Sequence, residues 1–282
     1  MLTRTFQHIQ GVGPATEEML WDAGVESWEE YLRRPVAIPQ MPRRELAREV
    51  ALSVKRLEAG DAAYFNARLP GRERWRLYRE FLQRAVYLDI ETTGLSPGSS
   101  AITMVGLYDG QEYRAFVRGR DLDRLPQELR RYSLVVTYNG LSFDAPFIKA
   151  EMGPVLSHCA HVDVMYPLRR LGYRGGLKAI EGQLGLGREA GMEGLDGYDA
   201  VVLWELYRRG DSRALETLVR YNAEDVASLP RLAELAYNGL AGQLPIAVPS
   251  LPLSPRPDLD LPYDRRLVAR LRAGHGAPGL PG

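Results

Sequence analysis

Cysteine is almost missing from this chain. Cys159 is the only one in 282 residues, so an internal disulfide is impossible and a reducing compartment fits. Long apolar runs are missing as well: nothing approaches the roughly 20 residues a bilayer-spanning helix needs, and the N-terminus lacks a signal-peptide pattern. The expectation is a cytoplasmic protein with no membrane partner. Net charge is absent too, with 36 basic against 36 acidic residues, so bulk electrostatics do not announce a nucleic-acid partner. Lysine is scarce, at Lys55, Lys149 and Lys178 only; arginine carries the remaining positive charge. No His/Cys spacing suits zinc. The stretch from Gly172 to Gly176 with Lys178 lacks the Gly-Lys-Ser/Thr spacing of a phosphate loop, and reads as a mobile loop before a helix.

What is present is centred on Val86-Tyr87-Leu88-Asp89-Ile90-Glu91-Thr92-Thr93-Gly94-Leu95. As a strand it would send Val86, Leu88 and Ile90 to one face and Tyr87, Asp89 and Glu91 to the other. Two acids on one face of an apolar strand repel each other and resist burial. A divalent cation between them would make the pair tolerable; the alternative is a solvated strand end.

The chain divides by composition into four parts. In residues 1–41, Gly11-Val12-Gly13-Pro14 feeds a helical pattern that Gly24 stops, and Ser27 with Glu30 marks a second helix start. Residues 42–84 form a basic helical connector, with one helix over Leu46–Leu57 and another over Trp75–Leu82. There Arg72, Arg74, Arg76 and Arg79 interleave with Trp75 and Tyr78, a mixture that suits either a nucleic-acid backbone and its bases or a solvated basic face. Residues 85–240 read as the main domain. Strands are expected at 101–108 and 113–117 around an Asp109-Gly110 turn, at 134–138 and at 161–165. Helices are expected at 143–152, 177–184, 200–208 and 212–229. This is α/β with a mixed sheet flanked by helices, preceded by a small all-α module. Residues 241–282 are proline-rich and expected to be extended and partly disordered.

Three places in the main domain offer acids with supporting context. They are Asp89 with Glu91, Asp144 after Asn139-Gly140-Leu141-Ser142-Phe143, and Tyr221 with Asp225, four apart on one helix face. His158, His161 and Asp163 make a further cluster that reads as structural. Glu224 lies about 100° round the helix from Asp225 and reads as solvated.

Asp89-x-Glu91, Asp144 in its Asn-Gly-x-x-Phe-Asp setting and Tyr221-x-x-x-Asp225 resemble the DEDD 3′–5′ exonuclease superfamily of ribonuclease H-like folds. The Tyr-x-x-x-Asp form marks the tyrosine branch; the histidine branch has a His five positions before the Asp, where this chain has Arg220. Gly197-x-Asp199-Ala200-Val201 and Tyr221-Asn222-x-x-Asp225-Val226 resemble the uncharacterised bacterial YprB-like branch and, more distantly, the proofreading domain of family B DNA polymerases. The likeness spans roughly residues 85–237. Gly11-Val12-Gly13 resembles a helix-hairpin-helix motif, in which backbone N–H groups hold a DNA phosphate.

The resemblance implies two divalent cations, Mg²⁺ or Mn²⁺, about 3.5–4 Å apart, held by Asp89, Glu91, Asp144 and Asp225. Tyr221 would orient the attacking water. Its ordinary pKa near 10 makes it a poorer general base than histidine. Thr92, Thr93 and Leu95 would seat the last nucleotide, and Asn139 and Phe143 would line the strand's path. Gly11 and Gly13 would hold a phosphate of adjoining duplex. The expected activity is 3′–5′ exonuclease action, with DNA favoured over RNA. An RNA-processing or structure-specific nuclease, and a non-catalytic nucleic-acid-binding scaffold, stand as alternatives.

Overall fold

In the computed structural model, which describes residues 1–39, 41–187, 192 and 194–275, the acid-bearing stretch becomes the middle strand of a mixed sheet. Helices α1 (Pro14–Asp22), α2 (Trp28–Arg33), α3 (Arg43–Glu58), α4 (Ala62–Arg68) and the single turn α5 (Tyr78–Phe81) come first. Then follow β1 (Ala85–Thr92), β2 (Ile102–Tyr108), β3 (Tyr113–Val117), α6 (Leu125–Leu129), β4 (Leu134–Thr137), α7 (Asp144–Met152), β5 (Ala160–Asp163) and α8 (Met165–Arg170). Helices α9 (Leu177–Gln183), α10 (Gly197–Arg208), α11 (Ser212–Ala227), α12 (Leu229–Ala241) and α13 (Arg265–His275) complete the described chain.

Strand order is β3-β2-β1-β4-β5. The β1–β2 and β2–β3 pairs are antiparallel, whereas β1–β4 and β4–β5 are parallel. Alternation along β1 holds as expected. Val86, Leu88 and Ile90 pack with Leu125, Leu129, Phe147 and Ile148 of α6 and α7. Tyr87 faces the other way, its hydroxyl 2.7 Å from that of Tyr78. Helix α11 lies across β1 and β2 on this second face. Pairing with β4 stops at Tyr87, so the acid-bearing half of β1 runs on beyond its parallel neighbour. Opposite Glu91 and Thr92 the β2 register slips by one residue at Thr103, a bulge of the kind that re-aims side chains beside active sites.

The first 84 residues share a core with the sheet. Phe6, Trp28, Phe65 and Trp75 belong to one buried cluster with Tyr87, Leu134, Val162 and Tyr237. Trp75 and Tyr78 lie inside it, and Arg76, at 3% exposure, pairs with Glu73 at 2.8 Å and Glu17 at 3.1 Å. These aromatics therefore offer no bases a stacking surface. The expected helix over 75–82 is instead a 3-10 stretch, Gly71–Leu77, followed by α5. Trp75, Arg76, Leu77 and Tyr78 are buried in succession, which an amphipathic surface helix cannot achieve.

The tail also differs from its expectation over the described residues. Leu251 exchanges backbone bonds with the Asn238 amide at 2.7 and 2.8 Å, and Glu234 accepts from Ser254. Leu267 and Val268 of α13 bury against Leu203, Trp204, Leu215 and Leu218. Extended it is, but held at several points; residues 276–282 lie outside the described residues. Among the described residues, no helix is long and apolar enough to cross a membrane.

Candidate metal centre

Each acid reaches the site for a local reason. Asp89 and Glu91 are carried by the alternation of β1. Asp225 is carried by α11, which Asp211 caps by accepting from the Arg213 N–H, after Gly210 turns the chain at φ +100°. Ligand oxygens of Asp89, Glu91 and Asp225 all lie within 4.8 Å of one another. Glu91 and Asp225 are buried, at 7% and 8% exposure, and Asp89 is half-buried.

Asp144 arrives separately, in the first turn of α7, and is buried at 3% exposure. It lies outside that three-acid convergence, yet close enough to Glu91 to raise its pKa. Its loop is pinned by Asp163, whose carboxylate accepts from the backbone N–H groups of Asn139 (2.8 Å), Leu141 (3.0 Å) and Met165 (3.2 Å). Asn139 sits at φ +63°, a conformation asparagine tolerates better than most residues. At Gly140 a Cβ would come within 2.4 Å of the Thr137 hydroxyl, so the loop can fold this tightly only with glycine there. His161 bonds Thr137 at 2.8 Å, and burial drives its pKa down to about 4. His161 and Asp163 thus build the loop.

Crowding of like charge shows in the protonation equilibria. Burial, then the Asp225 charge, pushes Glu91 up to about 8; the Asn222 amide and Lys178 oppose that rise. Burial, followed by the Asp163 charge, pushes Asp144 up to about 7, against a backbone bond from Ile90. The Asp144 Oδ1 atom is buried without a hydrogen-bond partner. Converging hard carboxylate oxygens, with the Asp144 Oδ1 atom unpartnered beside them, are a donor set that fits a hard divalent cation.

Two neighbours were given no role at the acids from the sequence. Lys178, at the start of α9, donates to the Tyr221 hydroxyl at 3.0 Å and to the Leu195 carbonyl, its Nζ 4.6 Å from the Tyr221 ring centre. The scarcity of lysine and its place just after the stretch from Gly172 to Gly176 were its signals. Asn222, fully buried, donates to Asp89 Oδ2 at 2.8 Å and to Glu91 Oε1 at 3.3 Å, and accepts from the Tyr113 hydroxyl at 2.9 Å. Its three-residue spacing from Asp225 and the isolated Gly106 within an apolar strand were signals that could have found it.

The remaining expected residues are distributed unevenly. The Thr92 hydroxyl donates to the Gly94 carbonyl at 2.6 Å, and the Thr93 hydroxyl accepts from the Ala101 N–H at 3.0 Å. Leu95 is 84% exposed. Phe143 is half-buried against Phe147, ring centres 4.9 Å apart. Glu224, expected in solvent, is buried at 1% exposure; Arg220 (2.9 Å) and Arg256 reach it from two sides. Arg220 lies on the side of α11 away from the acids and also bonds the Leu259 and Leu261 carbonyls of the tail. In the N-terminal hairpin, Gly11 turns at φ +86° and Gly13 caps α1. Among the described residues before this hairpin, Leu2–Arg4 forms a 3-10 turn. Glu17 points inward and accepts from the Thr5 hydroxyl, the Phe6 N–H and Gln7.

No curated protein matches the chain. Among solved structures it is similar to a family B DNA polymerase from the hyperthermophilic archaeon Pyrobaculum calidifontis, with 18% identity and a TM-score of 0.42. That match covers 55% of this chain and 25% of the polymerase chain. Residues 86–237, more than half the sequence and all of the acid-bearing elements, match the family described as the RNase_H superfamily. The chain belongs to the RNase H superfamily.

Proposed function

We propose that this chain is a metal-dependent nuclease of the tyrosine branch, a 3′–5′ exonuclease acting on single-stranded DNA or frayed DNA ends with two divalent cations, Mg²⁺ or Mn²⁺. One observation carries this reading: carboxylates from β1 and α11 converge within 4.8 Å on the buried face of an RNase H superfamily domain. A fold kept only for binding anionic phosphate has no use for such crowding.

When bound, the two ions supply Lewis acidity at the leaving oxygen and lower the pKa of water. Asp89, Glu91 and Asp225 would hold one of them; Asp89 and Asp144 would hold the second. Tyr221 accepts from Lys178 at 3.0 Å. Its hydroxyl would orient the attacking water so that a lone pair of that water points at phosphorus. Lys178 places a positive charge where negative charge grows during attack. The water oxygen bonds to phosphorus, the P–O3′ bond breaks, and a 5′-mononucleotide leaves a new 3′-hydroxyl on the strand.

Thr92 has committed its hydroxyl proton to the turn, so it would meet the terminal nucleotide through its backbone; Thr93 keeps a hydroxyl proton to donate. Leu95, exposed beyond them, would wedge against the last bases, with Asn139 and Phe143 along the strand's path. Backbone N–H groups at Gly11 and Gly13 would hold a phosphate of adjoining duplex, which supports DNA as the substrate.

The test is degradation of 5′-labelled single-stranded DNA, recessed and frayed duplexes, and RNA by the whole chain. The expected result is a ladder shortening from the 3′ end with Mg²⁺ or Mn²⁺ and none with EDTA. No cleavage of any substrate with either ion would overturn the proposal. Cleavage of RNA alone would select the RNA-processing alternative.

A further inference from the structure

We propose that Asn222 is a positioning residue of the metal site, its amide locked by Tyr113 so that it holds Asp89 and Glu91 in register for a cation. The inference rests on the acid cluster being a metal site, as proposed above.

The orientation of the amide follows from its neighbours. Carboxylates only accept, so the N–H edge of Asn222 must face Asp89 Oδ2 (2.8 Å) and Glu91 Oε1 (3.3 Å). Its carbonyl oxygen is then turned toward the Tyr113 hydroxyl, which donates at 2.9 Å. Asn222 has no exposed surface, so water cannot substitute for either contact. Tyr113 is held in turn by β3, whose pairing with β2 sets Tyr113 against Tyr108.

The sheet is shaped around this amide. Gly106 of β2 lies directly across from Asp89. A Cβ there would stand 1.7 Å from Asn222 Oδ1 and 2.9 Å from the Tyr113 hydroxyl oxygen. Glycine in the middle of an apolar strand weakens it, and here it admits a side chain that bridges both acids.

The chemistry of the bridge explains why it is an amide. An arginine in that place would order the two carboxylates but would also neutralise them, leaving less charge for an ion. A neutral donor orders them and adds no charge of its own. Groups that orient metal-ligating carboxylates in this way commonly change metal affinity about 10- to 100-fold when removed.

Calorimetric titration of the full chain with Mn²⁺ tests the role without reference to turnover. Asn222→Ala should weaken Mn²⁺ binding about 10- to 100-fold, and Tyr113→Phe more modestly, with far-UV circular dichroism unchanged. Tyr113→Phe added to Asn222→Ala should weaken it no further, because the phenol acts through the amide; independent packing roles would multiply instead. Gly106→Ala, which displaces the amide and touches no acid, should resemble Asn222→Ala. Wild-type affinity in Asn222→Ala and Tyr113→Phe, or effects that multiply, would overturn the inference and leave the metal reading standing. Failure of the wild type to bind Mn²⁺ would overturn both. Should Asn222→Ala not fold, Tyr113→Phe decides, since it removes a single hydroxyl.

Discussion

Helix α11 buries charge on two sides, and the two sides are handled in opposite ways. On the side facing the tail, Glu224 meets Arg220 at 2.9 Å and Arg256 beyond it, and Arg220 also bonds tail carbonyls. On the side facing β1, Asp225 meets Asp89 and Glu91, and among the described residues Lys178 and Asn222 oppose the rise in the Glu91 pKa. Glu224 and Arg220 on the one side, and Glu91 and Asp225 on the other, are buried. Burying an ionised group costs several kcal/mol unless it is paired, so a fold bears an unbalanced set only where something else supplies the balance. The difference separates an ion network from an acid cluster whose ligand atoms converge as a cation site requires.

The largest expected effect comes from attacking the unbalanced side. Asp89→Ala or Asp225→Ala should lower Mn²⁺-dependent strand degradation by on the order of 10³-fold or more, and calorimetry should show loss of ion binding. Retained activity in either variant would erase the contrast between the two sides. Glu224→Gln attacks the balanced side. It removes the carboxylate charge beside the buried Arg220 guanidinium, and urea unfolding should report a loss of about 3–5 kcal/mol, with Mn²⁺ affinity of the folded fraction kept. An equal drop in ion affinity would mean that the two sides are not separate.

A smaller effect is expected at Tyr221. Tyr221→Phe should slow turnover by about 10²-fold while Mn²⁺ binding stays near wild type; loss of binding would reassign the tyrosine to holding the acids. The mildest test is pH. Glu91 and Asp144 titrate in the folded protein at about 8 and about 7, above their ordinary values of 4.5 and 3.8. Stability from their protonated forms is therefore full below those ordinary values and is lost as pH rises through the folded ones. In EDTA the melting temperature should fall between about pH 5 and pH 9, and Mn²⁺ should flatten that fall. A flat profile in EDTA would show that the acids are not crowded in solution.

Much of this was legible without the fold. Alternation along residues 86–91 placed Asp89 and Glu91 on one face, and the i, i+4 spacing placed Tyr221 with Asp225. Gly110, at φ +94°, makes the hairpin that Asp109-Gly110 announced. Gly210 and Asp211 end one helix and begin the next as their residue types require. Glu224 was not legible in the same way. Its angular distance from Asp225 is correct, but periodicity reports which way a side chain points and says nothing of what lies there. The tail that brings Arg256 and the Leu259 carbonyl to that face is distant in sequence. Arg220, four residues before Glu224, was the visible half of the answer.

Local chemistry in the sequence thus determined most of the elements and the faces of β1 and α11, because strand and helix periods are properties of the backbone alone. Only the tertiary structure decided which charges are compensated. Trp75 and Arg76 went into a core shared by the first 84 residues and the sheet, Glu224 into an arginine pair, and Lys178 and Asn222 to the acids. Compensation depends on partners brought together across 40 to 130 residues of chain, as Lys178 to Tyr221 and Asn222 to Asp89 show, and no local period carries that information.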